Sequence, residues 1–176
     1  MCAISECSTL GEIAQGHDSM AENGNDSKRD AADILLNGWM DDGVHVYRLR
    51  VYYADTDLSG AVYHARYLEM LERGRSDFLR LSGVLHSALE ARDDPQFWVV
   101  RRMEIDWLAG ARIEDVLEVH TRVASVSGAR VTMSQAIMRQ GTLIVTAQVL
   151  AALINEVGKP QRFPKDWIDV FCGHTK

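Results

Sequence analysis

From His45 onward the chain alternates between apolar and polar side chains. His45, Tyr47, Leu49, Val51 and Tyr53 fall on one side of an extended backbone, with Arg48 and Arg50 on the other, because successive strand side chains point to opposite faces. The period recurs over 98–108, where Val99, Met103, Ile105 and Trp107 alternate with Arg102, Glu104 and Asp106. Over 116–127, Leu117, Val119, Thr121 and Val123 alternate with Glu118, His120 and Arg122; over 129–140, Val131, Met133 and Ile137 alternate with Arg130, Thr132 and Ser134. Over 142–154, Leu143, Val145, Ala147, Val149, Ala151 and Leu153 make one apolar face. Ser127-Gly128 and Gln140-Gly141 read as turns, so the last three strands are expected to form an antiparallel meander.

Only 65–82 follows another period. Tyr67, Leu71, Gly74, Phe78 and Leu81 recur at spacings of four and three, while Arg66, Glu69, Arg73, Asp77 and Arg80 take another face, which predicts an amphipathic helix. Glu69–Arg73 and Arg73–Asp77 are candidate i,i+4 ion pairs, and Ser82-Gly83 closes the helix. Gly74 lies on the apolar stripe at a cost of about 1 kcal/mol against Ala, which close approach of the helix to a sheet would offset. The order is one strand, one long helix, then four strands: an α+β arrangement, with a five-stranded antiparallel sheet wrapped around one long central helix. His86–Gln96 is an irregular connector. Lys159–Phe171 holds two prolines and a short Asp166–Phe171 segment expected to cap the sheet.

A length of 176 residues fits one domain. Residues 1–42 hold nine acidic and two basic side chains, whereas 43–176 hold 16 acidic and 17 basic. Ser, Gly, Asp, Glu and Asn dominate 1–30 and bury too little apolar surface to offset ordering entropy. Residues 1–42 are therefore read as a flexible acidic extension, with a short helix over 31–40. The folded domain is placed at 43–171 and a C-terminal tail at 172–176. A neutral body without a basic cluster argues against nucleic acid. The longest uncharged run, Gln140 to Asn155, has 16 residues, short of the roughly 20 a membrane span needs. The first 30 residues lack an apolar signal core. Cys2, Cys7 and Cys172 make neither a disulfide framework nor a zinc spacing. The expectation is a cytoplasmic protein with reduced thiols.

The densest polar cluster runs from Asp55 through Thr56, Asp57, Ser59, Gly60 and Tyr63 to His64, between the first strand and the helix. Three chemistries compete for it. Asp55, Asp57, Ser59 and Gly60 match the first positions of a calcium loop, but position 12, which should be a bidentate Glu, is Arg66. Asp-x-Asp after a strand can serve aspartyl phosphotransfer with magnesium, a chemistry expected on a doubly wound sheet. Thioester hydrolysis needs a carboxylate facing free N–H groups at a helix start. The carboxylate attacks the carbonyl or activates water while the donors hold the oxygen.

The run Val51-Tyr52-Tyr53-Ala54-Asp55-Thr56-Asp57, with Gly60, Val62-Tyr63-His64, Tyr67-Leu68, Glu72-Arg73 and Arg75, resembles the signature of hotdog-fold acyl-CoA thioesterases. It is most similar to the Tol-Pal-associated branch of the 4-hydroxybenzoyl-CoA thioesterase family. The resemblance covers about residues 43–171. It implies hydrolysis of acyl-CoA to free acid and CoA, without metal or organic cofactor, by a homodimer joined at sheet edges or a homotetramer. It assigns the catalytic carboxylate to Asp57 and the carbonyl-polarising N–H to His64. Tyr63 and Tyr67 become substrate-pocket residues or core, and Arg130 a candidate for a CoA phosphate. Ser59 stands where the family commonly has a second Gly. Asp55 is read as an Asx-turn residue, Glu72 as solvated or paired with an Arg, and His45, His86, His120 and His174 as structural. An acyl-carrier-protein-dependent relative, or a weakly catalytic partner of the Tol-Pal envelope system, is the alternative reading.

Overall fold

The computed structural model describes residues 2–3 and 36–171. The elements are β1 (Cys2–Ala3), β2 (Trp39–Asp41), β3 (Val44–Arg50), a 3-10 turn (Tyr53–Asp55), α1 (His64–Leu81), α2 (His86–Glu90), β4 (Gln96–Trp107), β5 (Val116–Ser127), β6 (Arg130–Arg139), β7 (Thr142–Asn155) and α3 (Lys165–Phe171). The strands form one antiparallel sheet in the order β2-β3-β5-β6-β7-β4, with β1 pairing β5 off this path. Along that path six strands stand where the alternation gives five, and β1 makes a seventh in the sheet. The sixth is β2, inside the stretch read as the end of a helix. Asp42 (φ 43°) and Gly43 (φ 77°) make a two-residue turn that folds Trp39–Asp41 back onto Val44–Val46. Asp-Gly is favoured there because both central residues take the left-handed region. Expectations for residues 1, 4–35 and 172–176 lie outside the described residues; of the segment read as a flexible extension, Cys2–Ala3 pair with Val126 and Ser125 of β5.

The strand that leads to the polar cluster stops at Arg50 rather than Tyr53. Val51 donates its N–H to Asp115 O (2.9 Å) and accepts from Glu114 N–H at its own carbonyl (3.0 Å), and the chain then turns through Tyr53–Asp55. In β4 a register shift between Val100 and Arg102 reverses the alternation. Before it, Trp98 and Val100 oppose Leu153 and Ala151; after it, Met103, Ile105 and Trp107 oppose Val149, Ala147 and Val145. Those five partners all lie on the helix-side face of β7, so Val99 does not share the Met103 face as an uninterrupted period of two would have it.

Tyr67, Met70 and Leu71 of α1 pack with Leu117 and Val119 of β5, Ile137 of β6 and Val145 and Val149 of β7 in one buried cluster. A Cβ on Gly74 would meet Val119 Cγ1 at 2.7 Å and Thr121 Oγ1 at 3.2 Å, so the expected close approach is real. Phe78 and Leu79 join a second cluster with Val123, Met133, Leu153, Phe163 and Phe171. The charged face of α1 differs from expectation: Glu69 pairs with Arg66 (2.7 Å) and Asp77 with Arg80 (3.5 Å), both at i,i+3. No helix among the described residues is long and apolar enough to cross a membrane.

Candidate active site

The segment from Asp57 to Ala61 is a closed loop. Asp57 N–H donates to Ala61 O (3.0 Å) and Gly60 N–H to Asp57 O (2.9 Å), while Thr56 and Val62 form a bridge at its base. The loop is fastened to the strand-to-strand connection 108–115. Val62 N–H donates to Ala111 O (2.9 Å), Ala61 bridges Arg112, and the Arg112 guanidinium lies against Gly60. Asp55 sits just before it. Its Oδ2 accepts the Tyr52 N–H (2.8 Å) and its carbonyl accepts the N–H of Tyr63, the residue that precedes α1 (2.9 Å). Asp55 thus closes a local turn, as its sequence context suggests.

Asp57 makes an Asx turn as well. Its Oδ1 accepts both the N–H (2.8 Å) and the hydroxyl (2.6 Å) of Ser59, and that hydroxyl also accepts Ala61 N–H (3.3 Å). The Ser59 hydroxyl, then its N–H, hold the Asp57 carboxyl below the usual range, and the His64 charge adds to this. Asp57 is solvent-exposed and ionised at neutral pH, with one oxygen fixed by Ser59. The residue that departs from the usual Gly is therefore the one that orients the carboxylate.

His64 opens α1. Tyr63, which precedes it, is extended (φ -61°, ψ 131°) and gives no side-chain cap. A helix start leaves backbone donors free, and the partial positive charge there attracts anions and polarised oxygens. The His64 ring sits 4.4 Å from the Tyr63 ring and 6.0 Å from the Trp107 ring at 86°, and the Trp107 indole N–H donates to His64 O (3.3 Å). Trp107 ends β4, and sequence reading did not place it here. Its indole reaches His64 across 43 residues, a contact that no local pattern encodes.

The other expected residues separate. Tyr63 is half-exposed beside His64. Tyr67 is only 2% exposed, and its hydroxyl accepts the Ala111 N–H (2.8 Å); burial pushes the phenol pKa up, so it stays neutral and braces the 108–115 connection. Arg139 and Asp115 complete that brace. Arg139 Nη1 donates to Gly110 O (2.9 Å) and Asp115 Oδ2 (3.1 Å), and Asp115 also accepts Arg112 N–H (2.8 Å). Arg130 begins β6, nine residues from Arg139, or roughly 30 Å at strand rise. Within one chain it is not brought to Asp57. Glu72 accepts the Ser76 hydroxyl (2.7 Å) on the exposed side of α1. Among the described residues no group of three or more His, Cys, Asp or Glu is placed to hold a metal ion.

The chain is similar to known proteins in sequence and in fold. Residues 59–146 match the family described as the Thioesterase superfamily. A relative from Haemophilus influenzae, named acyl-CoA thioesterase YbgC, is 38% identical over 122 residues, covering 68% of this chain and 88% of its own. The crystal structure of a probable thioesterase from Bartonella henselae is 49% identical and superposes with a TM-score of 0.67, over 69% of this chain and 99% of that one. A 1,4-dihydroxy-2-naphthoyl-CoA thioesterase from Synechocystis is 25% identical with a TM-score of 0.68, over 74% and 96%. Since nearly the whole length of each structural relative is matched, with α1 and its N-terminus inside the family region, the chain belongs to the thioesterase superfamily.

Proposed function

We propose that this protein hydrolyses acyl-CoA thioesters, with Asp57 as the reacting carboxylate and the His64 backbone N–H as the oxyanion donor. One observation carries the reading. An exposed, ionised carboxylate is anchored by one oxygen within electrostatic reach of His64, at an uncapped helix start. A thioester carbonyl resting on that donor gains stabilisation as its oxygen becomes negative. The carboxylate then attacks the carbonyl carbon to give a mixed anhydride and CoA thiolate, with water cleaving the anhydride, or it takes a proton from a water that attacks instead. Either route ends in free acid and CoA. The Haemophilus relative's name, acyl-CoA thioesterase, supports the substrate class.

The working unit is a homodimer or a pair of dimers. β4 is the outer strand on its side of the sheet, 12 residues long, and carries half-exposed Phe97, Val100 and Trp107. Such an edge invites pairing. The reaction loop is open to solvent, with Leu58 fully exposed at its tip, and a second copy would cover it.

Asp57→Asn keeps the acceptor that Ser59 uses but removes the charge. Against a panel of acyl-CoA chain lengths with free-thiol detection, kcat should fall at least ~100-fold, the low end for a lost general base, with KM and Tm little changed. Asp55→Asn should cost far less, since Asn Oδ1 can accept the same Tyr52 N–H. A variant at 57 that retains more than a tenth of kcat, beside an inactive variant at 55, would reverse the assignment. Absence of turnover with every chain length would favour a carrier-protein-dependent or purely binding relative.

A further inference from the structure

We infer that the cleft between α1 and the open edge of β3 receives the phosphate-bearing half of CoA, with Arg73 as its main anion ligand. This rests on the acyl-CoA reading above. β2 covers β3 only over Val44–Val46, so Tyr47 to Arg50 have no strand beside them on that edge among the described residues. The space there is a cavity of about 390 Å³ whose lining includes Arg48, Arg50, Tyr52, Asp55, Met70 and Arg73.

The charges in it are unequally engaged. Arg48 gives both Nε (3.1 Å) and Nη2 (2.6 Å) to Glu118. Arg50 lies 3.7 Å from a Glu114 carboxylate that is 77% exposed, a weak pair in high dielectric. Arg73 has no ion pair among the described residues, because Glu69 and Asp77 turn to Arg66 and Arg80. Asp55 is the one acidic residue of the lining, and it spends Oδ2 on Tyr52 N–H. An entering anion therefore meets one free guanidinium and one loosely held one. The planar guanidinium fork suits phosphate.

The cleft is continuous with the reaction site through Asp55, which lines it and whose carbonyl holds Tyr63 N–H at the head of α1. Nine residues along α1 from His64 to Arg73 give about 13 Å of rise and half a turn of rotation. The His64 ring faces Trp107, whereas Arg73 faces the β3 flank. The pantetheine arm between thioester sulfur and first phosphate matches four or five extended residues in length, ~14–17 Å. A carbonyl seated on the helix start thus sets the phosphates beside Arg73 and leaves the acyl group the Trp107 side.

The test compares an acyl-CoA with the N-acetylcysteamine thioester of the same acid, which has no phosphate, on wild type and Arg73→Gln. The variant should raise KM for acyl-CoA by about tenfold, the size of a lost charged hydrogen bond, with kcat within about twofold. KM for the short thioester should not follow it. Arg50→Gln should show a smaller loss of the same selectivity, and added salt should shrink the wild-type preference for the CoA ester. Equal effects on both substrates, or no effect on either, would overturn the assignment. Calorimetric titration with CoA itself separates this from the reaction. If wild type hydrolyses neither ester, the thioesterase reading falls, yet a roughly tenfold weaker CoA affinity in Arg73→Gln still supports the cleft. Equal CoA affinity in the two proteins, or no CoA binding by either, refutes it.

Discussion

Replacing Tyr67 with Phe deletes one oxygen and leaves the ring where it is. That oxygen accepts the Ala111 N–H at 2.8 Å, and Ala111 is completely buried, so no water can take over. A buried donor stripped of its acceptor costs about 1–3 kcal/mol, while the apolar packing of the ring in the main core cluster is retained. Because burial keeps the phenol neutral, no charge is lost and the effect should be nearly independent of pH between 5 and 8. A loss of about 2 kcal/mol lowers Tm by roughly 5–8 °C for a domain of this size. Function should suffer indirectly. Ala111 O holds Val62 N–H and Arg112 bridges Ala61, so a loosened 108–115 connection lets the Asp57 loop drift. Denaturant unfolding and steady-state kinetics would show a destabilised enzyme with kcat down several-fold and KM less affected. Stability within ~0.5 kcal/mol of wild type together with a raised KM would refute this. Tyr67 would then touch substrate rather than brace the loop.

Gly74→Ala sets two terms against each other: about 1 kcal/mol gained in helix propensity and about 1–3 kcal/mol lost by forcing a methyl to 2.7 Å from Val119 Cγ1. We expect a net loss near 1 kcal/mol, and a higher Tm would show that β5 yields easily. His45 is fully buried, with Nε2 2.7 Å from Asn37 O; burial lowers its pKa from 6.5, opposed by the carbonyls of Asn37 and Gly74 and by Asp77, with His120 adding to the lowering. Below pH 6.5 the unfolded chain takes a proton that the folded one resists, so stability should fall from pH 6.5 to the depressed folded value, by up to ~1.4 kcal/mol per unit. Asp77, whose carboxyl is raised by burial, acts oppositely at lower pH. Urea unfolding of His45→Gln should give a flatter profile between pH 6.5 and 5, and an unchanged slope would exclude His45 as its source.

The parts of this fold legible in the sequence are those governed by neighbours in the chain. Four long strands and an 18-residue helix repeat their period often enough to be read within a residue or two. β2 has three residues, too few to show a period, and only Asp42-Gly43 announces it. The bulge in β4 leaves no composition mark. It shows only when Val100 and Arg102 are seen against Ala151 and Leu150. The expected i,i+4 pairs on α1 give way to i,i+3 pairs because Arg66, Glu69, Arg73, Asp77 and Arg80 offer both kinds of partner, and pairs this weak are decided by what else each side chain can reach.

The same division runs through the site. Asp57, Ser59 and His64 lie within eight residues, on one loop that leads into the start of α1. What holds that loop in place comes from far away in sequence: Trp107, Ala111, Asp115 and Arg139 act through bonds to His64, Val62, Arg112 and Gly110. Ser59 shows how the two levels meet. Read as a sequence, it departs from an expected glycine. Placed in the loop, its hydroxyl becomes a second donor to Asp57, and glycine would supply the backbone N–H alone. The carboxylate is thus aimed by a residue whose role follows from geometry rather than from the motif.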